Sequence, residues 1–395
     1  MNILFFTEEE VHPNIGGIER VTSILANAFI VNYKANVYSM FLRPVLNSPD
    51  IFSEHKQWDG TVDDICSFIN NNKIDVFICQ RQIESISLLA QAVERSDRIC
   101  LFVNVLHCMP GYELPEWEYL LYGIFHGDKL SQCKSLAKLL SYPFYRYYSK
   151  LKVRKIMNYN YSYSDAFILL SQSYKELYCE VYNIKNKQKC ISINNPLSYS
   201  EYYFNEEYSK KEHVLITVCR LEERSKRVSL LLKTWKKIQK KKGDWKLYII
   251  GDGPNRKDYE TMIYNQRIPD VSMLGFVDPF SYYKKASLFA LTSANEGWAM
   301  VLTEAMQCGV VPVVMDSYLA VHDIIKHGEN GLLVRDRDIN AFATSLLHLM
   351  NNQKEREGLA RNAVQAMKRF SPDVIAGQWM KLFTNLLEQK KMSDV

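Results

Sequence analysis

No CxxC pair occurs among the nine cysteines of this 395-residue chain, and their number is odd and their spacing wide, so no disulfide framework is expected. Reduced thiols fit a cytoplasmic location. Nowhere do about 18 apolar residues run together, so no membrane-spanning helix is expected and any bilayer contact has to be peripheral, on the inner face of the cytoplasmic membrane. The opening MNILFFTEEEVHP has neither a basic beginning nor a long apolar stretch, and no export signal is read in it. No segment is biased toward disorder, no repeat of short period marks a solenoid, and no intact GxGxxG follows a strand as a dehydrogenase would need. Net charge is scarce as well. The 49 Lys and Arg against 44 Asp and Glu leave +5, a mild and clustered excess that does not point to nucleic acid.

What the chain does hold is apolar residue, 47% of the total, enough for two ordinary cores. Asn2 to Phe6 is a short apolar run, followed by a polar loop with glycine and then by IERVTSILANAFI, whose apolar residues recur at helical spacing. Further β-rich runs stand at NVYSMF, DVFICQ, ICLFVNVLH and DAFILLS, and a second series runs through HVLITVC, KLYIIGD, VSMLGF, LFALTS and VVPVVM. Strands alternating with helices predict an α/β chain of two Rossmann-like domains with parallel sheets. The expected division is an N-terminal domain over 1–195, a linker over 196–212, a C-terminal domain over 213–371, and a helix over 372–395 that packs back on the N-terminal domain. That helix carries Trp379, Leu382 and Leu386 on one stripe. WKKIQKKKGDWK, 235–246, reads as an exposed helix end closed by Gly243. Function is sought in a cleft at the carboxyl ends of the strands.

The densest signal is SANEGWAMVLTEAMQCGVVPVV, Ser293 to Val314, running from a strand end through a loop into a helix and through Gly309 into another strand. Glu296 falls in the loop and Glu304 about two turns inside the helix, about 12 Å apart along an axis rising about 1.5 Å per residue. One ligand touching both has to be long. A nucleotide sugar is long enough: its sugar can meet the first carboxylate, its ribose the second, and its diphosphate the free N–H groups at the helix start.

The segment EGWAMVLTEAMQCGVVPVV resembles the E-x7-E signature of glycosyltransferase family four. The resemblance implies a GT-B fold, with two Rossmann-like domains facing across a cleft, and transfer with retention of anomeric configuration. VCRLEERSKRVSLLL resembles the family's strand end with a basic residue followed by a lysine, giving Arg220 and Lys226 as cations for the diphosphate. The spacing is one residue longer than in many members, so Arg224 competes with Lys226. The family's GxGP turn is matched by Gly251-Asp252-Gly253-Pro254, its base-contacting segment by Leu274-Gly275-Phe276-Val277, and its GGxE loop by Gly16-Gly17-Ile18-Glu19. Where the family often has Gly-Phe-Gly this chain has Gly297-Trp298-Ala299, and the methyl of Ala299 bears on the fit of the donor sugar. The resemblance thus implies Glu296, Arg220, Lys226 and His107 as catalytic residues. It implies Gly16, Gly17, Gly251, Gly253, Phe276, Val277, Gly297, Trp298, Ala299, Met300, Val301 and Glu304 as donor-binding residues. His107, at the end of ICLFVNVLH, has two readings, a contact to the donor sugar or a structural histidine bonded to backbone.

Transfer of a glycosyl group develops negative charge on the departing diphosphate. No acidic metal cluster of the DxD type is expected at a strand end, so cations rather than a metal are expected to meet that charge and no cofactor is expected. The expected co-substrate is a UDP- or GDP-sugar. The acceptor is a saccharide or lipid-linked molecule in cell-surface polysaccharide or glycolipid synthesis. The alternatives are a catalytically inactive nucleotide-sugar-binding partner subunit and a nucleotide-sugar epimerase of the same fold. The stretch 129–155 holds eight basic residues, no acid and aromatics at Tyr142, Phe144, Tyr145, Tyr147 and Tyr148. It reads equally as a helix lying on an anionic membrane or as a solvated helix whose rings face the core.

Overall fold

The structure, a computed structural model, describes residues 1–12, 16–45, 51–81, 86–125, 128–200, 208 and 210–393. It divides into two compact units, Met1–Asn194 with Pro372–Val395, and Asn195–Ser371.

In the first unit β1 (Asn2–Glu9), α1 (Gly17–Tyr33), β2 (Asn36–Arg43), β3 (Glu54–Gln57), α2 (Val62–Asn71), β4 (Val76–Cys79), α3 (Ile86–Glu94) and β5 (Leu101–Leu106) come first. Three consecutive helices follow, α4 (Trp117–Phe125), α5 (Lys129–Leu140) and α6 (Tyr142–Tyr163), and then β6 (Ala166–Leu169), α7 (Ser173–Tyr182) and β7 (Cys190–Ser192). Among the described residues the strands form one sheet in the order β3-β2-β1-β4-β5-β6-β7, every pair parallel. The inner strands β4, β5 and β6 are buried along their whole length, as expected of a sheet covered on both faces by crossover helices. Phe6 stands edge-on to both Trp58 and Phe77 in the core on one face.

The second unit repeats the plan with β8 (Glu212–Val218), α8 (Glu223–Lys226), α9 (Val228–Ile238), β9 (Lys246–Ile250), α10 (Arg256–Gln266), β10 (Val271–Gly275), α11 (Phe280–Lys285) and β11 (Ala286–Leu291). It continues through α12 (Met300–Gln307), β12 (Val311–Asp316), α13 (Val321–Ile324), β13 (Leu332–Arg335), α14 (Ile339–Asn351) and α15 (Gln353–Met367). The strand order is β10-β9-β8-β11-β12-β13, again all parallel. Val228, Leu231, Leu232, Trp235 and Ile238 make the buried stripe of α9 at helical spacing, and the Trp235 indole N–H is satisfied by the Pro269 carbonyl at 2.9 Å. Each such side chain removed from water contributes about 1.5–3 kcal/mol before the loss of chain entropy is counted.

Three local expectations are corrected. The described parts of 196–212, expected as a linker, pack within the second unit: Leu197 is buried and donates its N–H to the Phe370 carbonyl, and Tyr208 lies in the core. The lysine-rich segment does not end on Gly243. Its helix stops at Ile238, and Lys242 is buried over the Trp235 ring, donating to the Trp245 carbonyl at 2.7 Å and to Asp270 at 2.7 Å. Finally, α16 (Pro372–Ser393) belongs to the first unit, but its buried stripe is Ile375, Trp379 and Phe383, with Leu382 and Leu386 only half-buried. Phe383 meets Phe29 of α1, and Lys390 reaches Asp165 at 2.9 Å.

Candidate active site

In an open parallel sheet, ligands bind beyond the carboxyl ends of the strands where the strand order reverses. In the second unit that point lies between β8 and β11. Arg220 stands two residues past the end of β8, and Glu296 five residues past the end of β11.

The loop after β8 is fixed by backbone. Leu221 N–H donates to the Asp252 carbonyl at 2.9 Å, and Cys219 N–H to the Ile250 carbonyl at 3.0 Å. This close approach is what demands the two glycines of GDGP. A Cβ on Gly251, at φ +128, would overlap the Cys219 carbonyl, and one on Gly253 would press on the Leu221 backbone at 2.6–2.9 Å. Gly251 and Gly253 therefore have a packing reason of their own. Arg220, held on this ledge, is exposed and has no ion pair among the described residues.

Lys226 and Glu296 meet directly. Lys226 Nζ lies 2.6 Å from Glu296 Oε1, and the Ser293 hydroxyl donates to the same oxygen at 2.7 Å. Of the two competing cations, the structure brings Lys226 to Glu296, while Arg224 is half-buried. The two loops are then stitched together behind this pair. Ala294 N–H donates to the Ser225 carbonyl at 2.7 Å, and the Thr292 hydroxyl to the Lys226 carbonyl at 3.0 Å. Arg227 is buried, and its guanidinium donates to the Thr292 carbonyl at 2.9 Å and the Ser293 carbonyl at 2.7 Å while gripping both carboxylate oxygens of Asp336 at 2.6 and 3.2 Å. Arg227 is not among the residues that the sequence singles out. Its signal, a basic residue next to the site lysine, is indistinguishable in sequence from a solvated neighbour.

One premise of the metal expectation, that no DxD stands at a strand end, is corrected. Asp336-Arg337-Asp338 has DxD spacing immediately after β13. Its carboxylates are engaged otherwise, Asp336 by Arg227 and Asp338 as the N-cap of α14, accepting from Ala341 N–H at 2.9 Å. Among the described residues no group of three or more His, Cys, Asp or Glu side chains is placed to hold a metal ion.

Helix α12 starts at Met300, later than expected, so Glu304 sits little more than one turn inside it. It is fully buried, and its Oε1 accepts from the Ser198 hydroxyl at 2.6 Å. Ser198 was read only as the start of a linker, and no sequence signal tied it to Glu304. Gly297, Trp298 and Ala299 are buried, with Trp298 edge-on to Phe370 at 5.1 Å, while Met300 and Val301 are half-buried. Phe276 and Val277 follow β10 and are exposed, Phe276 by 81%, a free aromatic face beyond the strand end.

The remaining expected residues lie in the first unit. Gly16 caps the start of α1 at φ +73 and Gly17 is its first residue, but the first turn also carries Glu19, whose carboxyl is pushed up by burial and by Glu9 and Glu8. His107 follows β5 and is bonded at Nε2, 2.5 Å from Gln80 Oε1, so its partner is a side chain rather than backbone. Burial holds its pKa down at about 4, and the ring is neutral at pH 7. Between about pH 6.5 and 4 the unfolded chain therefore binds a proton that the folded chain refuses, so stability is lost as pH falls through that window. Denaturant midpoints measured from pH 7.5 down to 4.5 should fall more steeply for the parent than for His107→Asn. Parallel curves would sink this account of the histidine.

Comparison with known proteins bears on family and fold. Residues 200–366 match the family model described as glycosyl transferases group 1. A 149-residue stretch is 34% identical to the exopolysaccharide phosphotransferase SCO2592 of Streptomyces coelicolor, covering 37% of this chain and 16% of that one. Over 242 residues the chain is 29% identical to an α-1,4-N-acetyl-D-galactosaminyltransferase of Campylobacter jejuni that acts on a diNAcBac-PP-undecaprenol-linked saccharide, covering 60% and 66% of the two chains. The chain thus matches less than two thirds of the length of either relative. The pneumococcal O-GlcNAc transferase GtfA, solved in complex with UDP and GlcNAc, superposes with a TM-score of 0.73 at 12% identity, covering 98% of this chain and 99% of that one. That likeness bears on fold alone, two Rossmann-like halves of the GT-B class. The family description and the name of the C. jejuni relative are those of glycosyltransferases, whereas the S. coelicolor relative is named a phosphotransferase.

Proposed function

We propose that the chain is a metal-independent, retaining glycosyltransferase that moves a sugar from a UDP- or GDP-sugar to a saccharide or lipid-linked acceptor in cell-surface polysaccharide or glycolipid synthesis. The observation that carries this reading is the Lys226–Glu296 pair at the β8/β11 reversal, with Arg220 exposed on the neighbouring ledge. Further support comes from the C. jejuni relative, named as a sugar transferase, and from the GtfA structure holding UDP.

In the proposed mechanism Arg220 and Lys226 meet the diphosphate as negative charge develops on it in the transition state. A unit charge pair about 4 Å apart is worth about 4 kcal/mol at an effective dielectric near 20, close to three decades of rate when realised only at that point. Glu296 holds the hydroxyls of the donor sugar, and the acceptor hydroxyl attacks on the face that the diphosphate leaves. A proton passes from the acceptor to the departing phosphate oxygen, so charge balances without a protein nucleophile. Glu304, whose Oε1 is held by the Ser198 hydroxyl, is the carboxylate for the ribose hydroxyls. Phe276 and Val277 supply an apolar edge for the base.

Calorimetric titration with UDP, GDP and ADP in EDTA tests the donor class. One diphosphate should bind without metal, and Arg220→Ala should weaken it by about tenfold or more. Binding that requires a divalent ion, or binding of none of the three, would count against the proposal.

A further inference from the structure

Helices α4, α5 and α6 present apolar side chains to water on a scale that single exposed residues do not reach. No residue of α5 is buried, yet Leu130 and Leu140 are 63% and 80% exposed. On α6, Phe144, Tyr148 and Leu151 recur at helical spacing on one face and are exposed by 81%, 71% and 45%, with Tyr147 beside them. Trp117 and Phe125 of α4 are exposed too. The inward reading of the α6 rings is thus overturned for Phe144, Tyr147 and Tyr148, which stand outward, while Tyr142 and Tyr145 are half-buried. Only Met157, Asn160 and Tyr161, near its end, are buried.

Charge on the same segment has one sign. From Lys129 to Ser164 there is no Asp or Glu, and Lys134, Lys138 and Lys155 are exposed beside the apolar stripes. An aqueous helix normally mixes charges of both signs opposite a buried stripe, whereas here the apolar stripe faces out and the cations flank it. No helix of the described residues is long and apolar enough to cross a membrane.

We infer that α5 and α6 as far as Lys155 dock flat on an anionic phospholipid bilayer. The exposed rings and leucines enter the interface, and the lysines lie among the phosphate headgroups. A second copy of the chain fits the face poorly, because an isologous contact would set lysines against lysines with no carboxylate between them. The inference does not rest on the sugar-transfer reading, since its readout needs neither donor nor acceptor.

The test is flotation of the full chain with phosphatidylcholine vesicles, with and without about 30 mol% phosphatidylglycerol, at low and high salt. Binding is expected only with the anionic lipid and should weaken with salt. Lys134→Glu/Lys138→Glu/Lys155→Glu should reduce partitioning on the order of 100-fold. Phe144→Ser/Tyr148→Ser/Leu151→Ser should reduce it at least about tenfold, and both variants should keep the parent melting curve because the changed side chains are exposed. Equal binding to neutral vesicles, no binding to either, or unchanged binding by both folded variants would overturn the proposal. So would a concentration-dependent dimer that the apolar variant abolishes, which would assign the face to a second copy.

Discussion

Lys226→Ala is expected to lower kcat/KM for sugar transfer by about 10²–10³-fold, with the loss mainly in kcat. The lysine sits 2.6 Å from Glu296 and is anchored on a backbone that two hydrogen bonds tie to the β11 loop, so its amino group is held where the strand order reverses. Removing it has two consequences. The developing diphosphate charge loses a cation, and Glu296 loses the ammonium at 2.6 Å while keeping the Ser293 hydroxyl. Glu296→Gln keeps the shape and the acceptor oxygen but removes the charge, so it separates orientation from electrostatics. Because the two side chains touch, their effects should be non-additive, with the double variant losing less than the product of the single losses. Steady-state rates of the parent, both single variants and the double variant give the cycle. A kcat within about threefold of the parent for Lys226→Ala would remove the residue from the catalytic role proposed here.

The strands that carry the site were legible because they are buried on both faces and read as continuous apolar runs: HVLITVC, KLYIIGD and LFALTS each give an observed strand. The strands that were missed are short and lie at sheet edges or beside them. β3 is EHKQ, all exposed, and β7 is three residues long, so neither carries an apolar period. The Glu296 loop was legible through its spacing to Glu304, but the environment of each carboxylate was not. Burial of Glu304 against Ser198 depends on a contact between residues 106 positions apart, and nothing in NPLS records it. The glycines of GDGP were read as ligand contacts, whereas the structure gives them a second duty in backbone packing that a turn motif alone does not disclose. The acidic pair at 336 and 338 was overlooked, and only side-chain geometry reveals that both carboxylates are already engaged.

Arg227 carries the second large prediction. Its guanidinium donates four hydrogen bonds, two to strand-end carbonyls and two to Asp336, and only 9% of the side chain is accessible. Arg227→Ala takes the guanidinium donor from the Thr292 carbonyl, leaves the Ser293 carbonyl with the Ser317 hydroxyl at 2.5 Å, and leaves Asp336, itself about one third exposed, with the longer pairing to Arg337 at 3.9 Å. Each buried orphan costs about 1–3 kcal/mol, and the partial exposure of Asp336 discounts its share, so a loss of about 3 kcal/mol is expected. For a unit of this size that is a fall in Tm of roughly 6–12 °C, measurable by scanning calorimetry. Arg227 also holds a left-handed backbone, φ +48, between α8 and α9. Alanine inherits that strain and glycine does not, so Arg227→Gly should be about 1 kcal/mol more stable than Arg227→Ala while losing the same contacts. Arg227→Lys keeps the charge but lacks the planar fork, and should recover less than half of the loss. An ordering in which lysine restores the parent Tm would mean that charge alone holds the loop; an ordering in which glycine equals the parent would mean that the guanidinium bonds contribute nothing and the backbone turn is the whole effect.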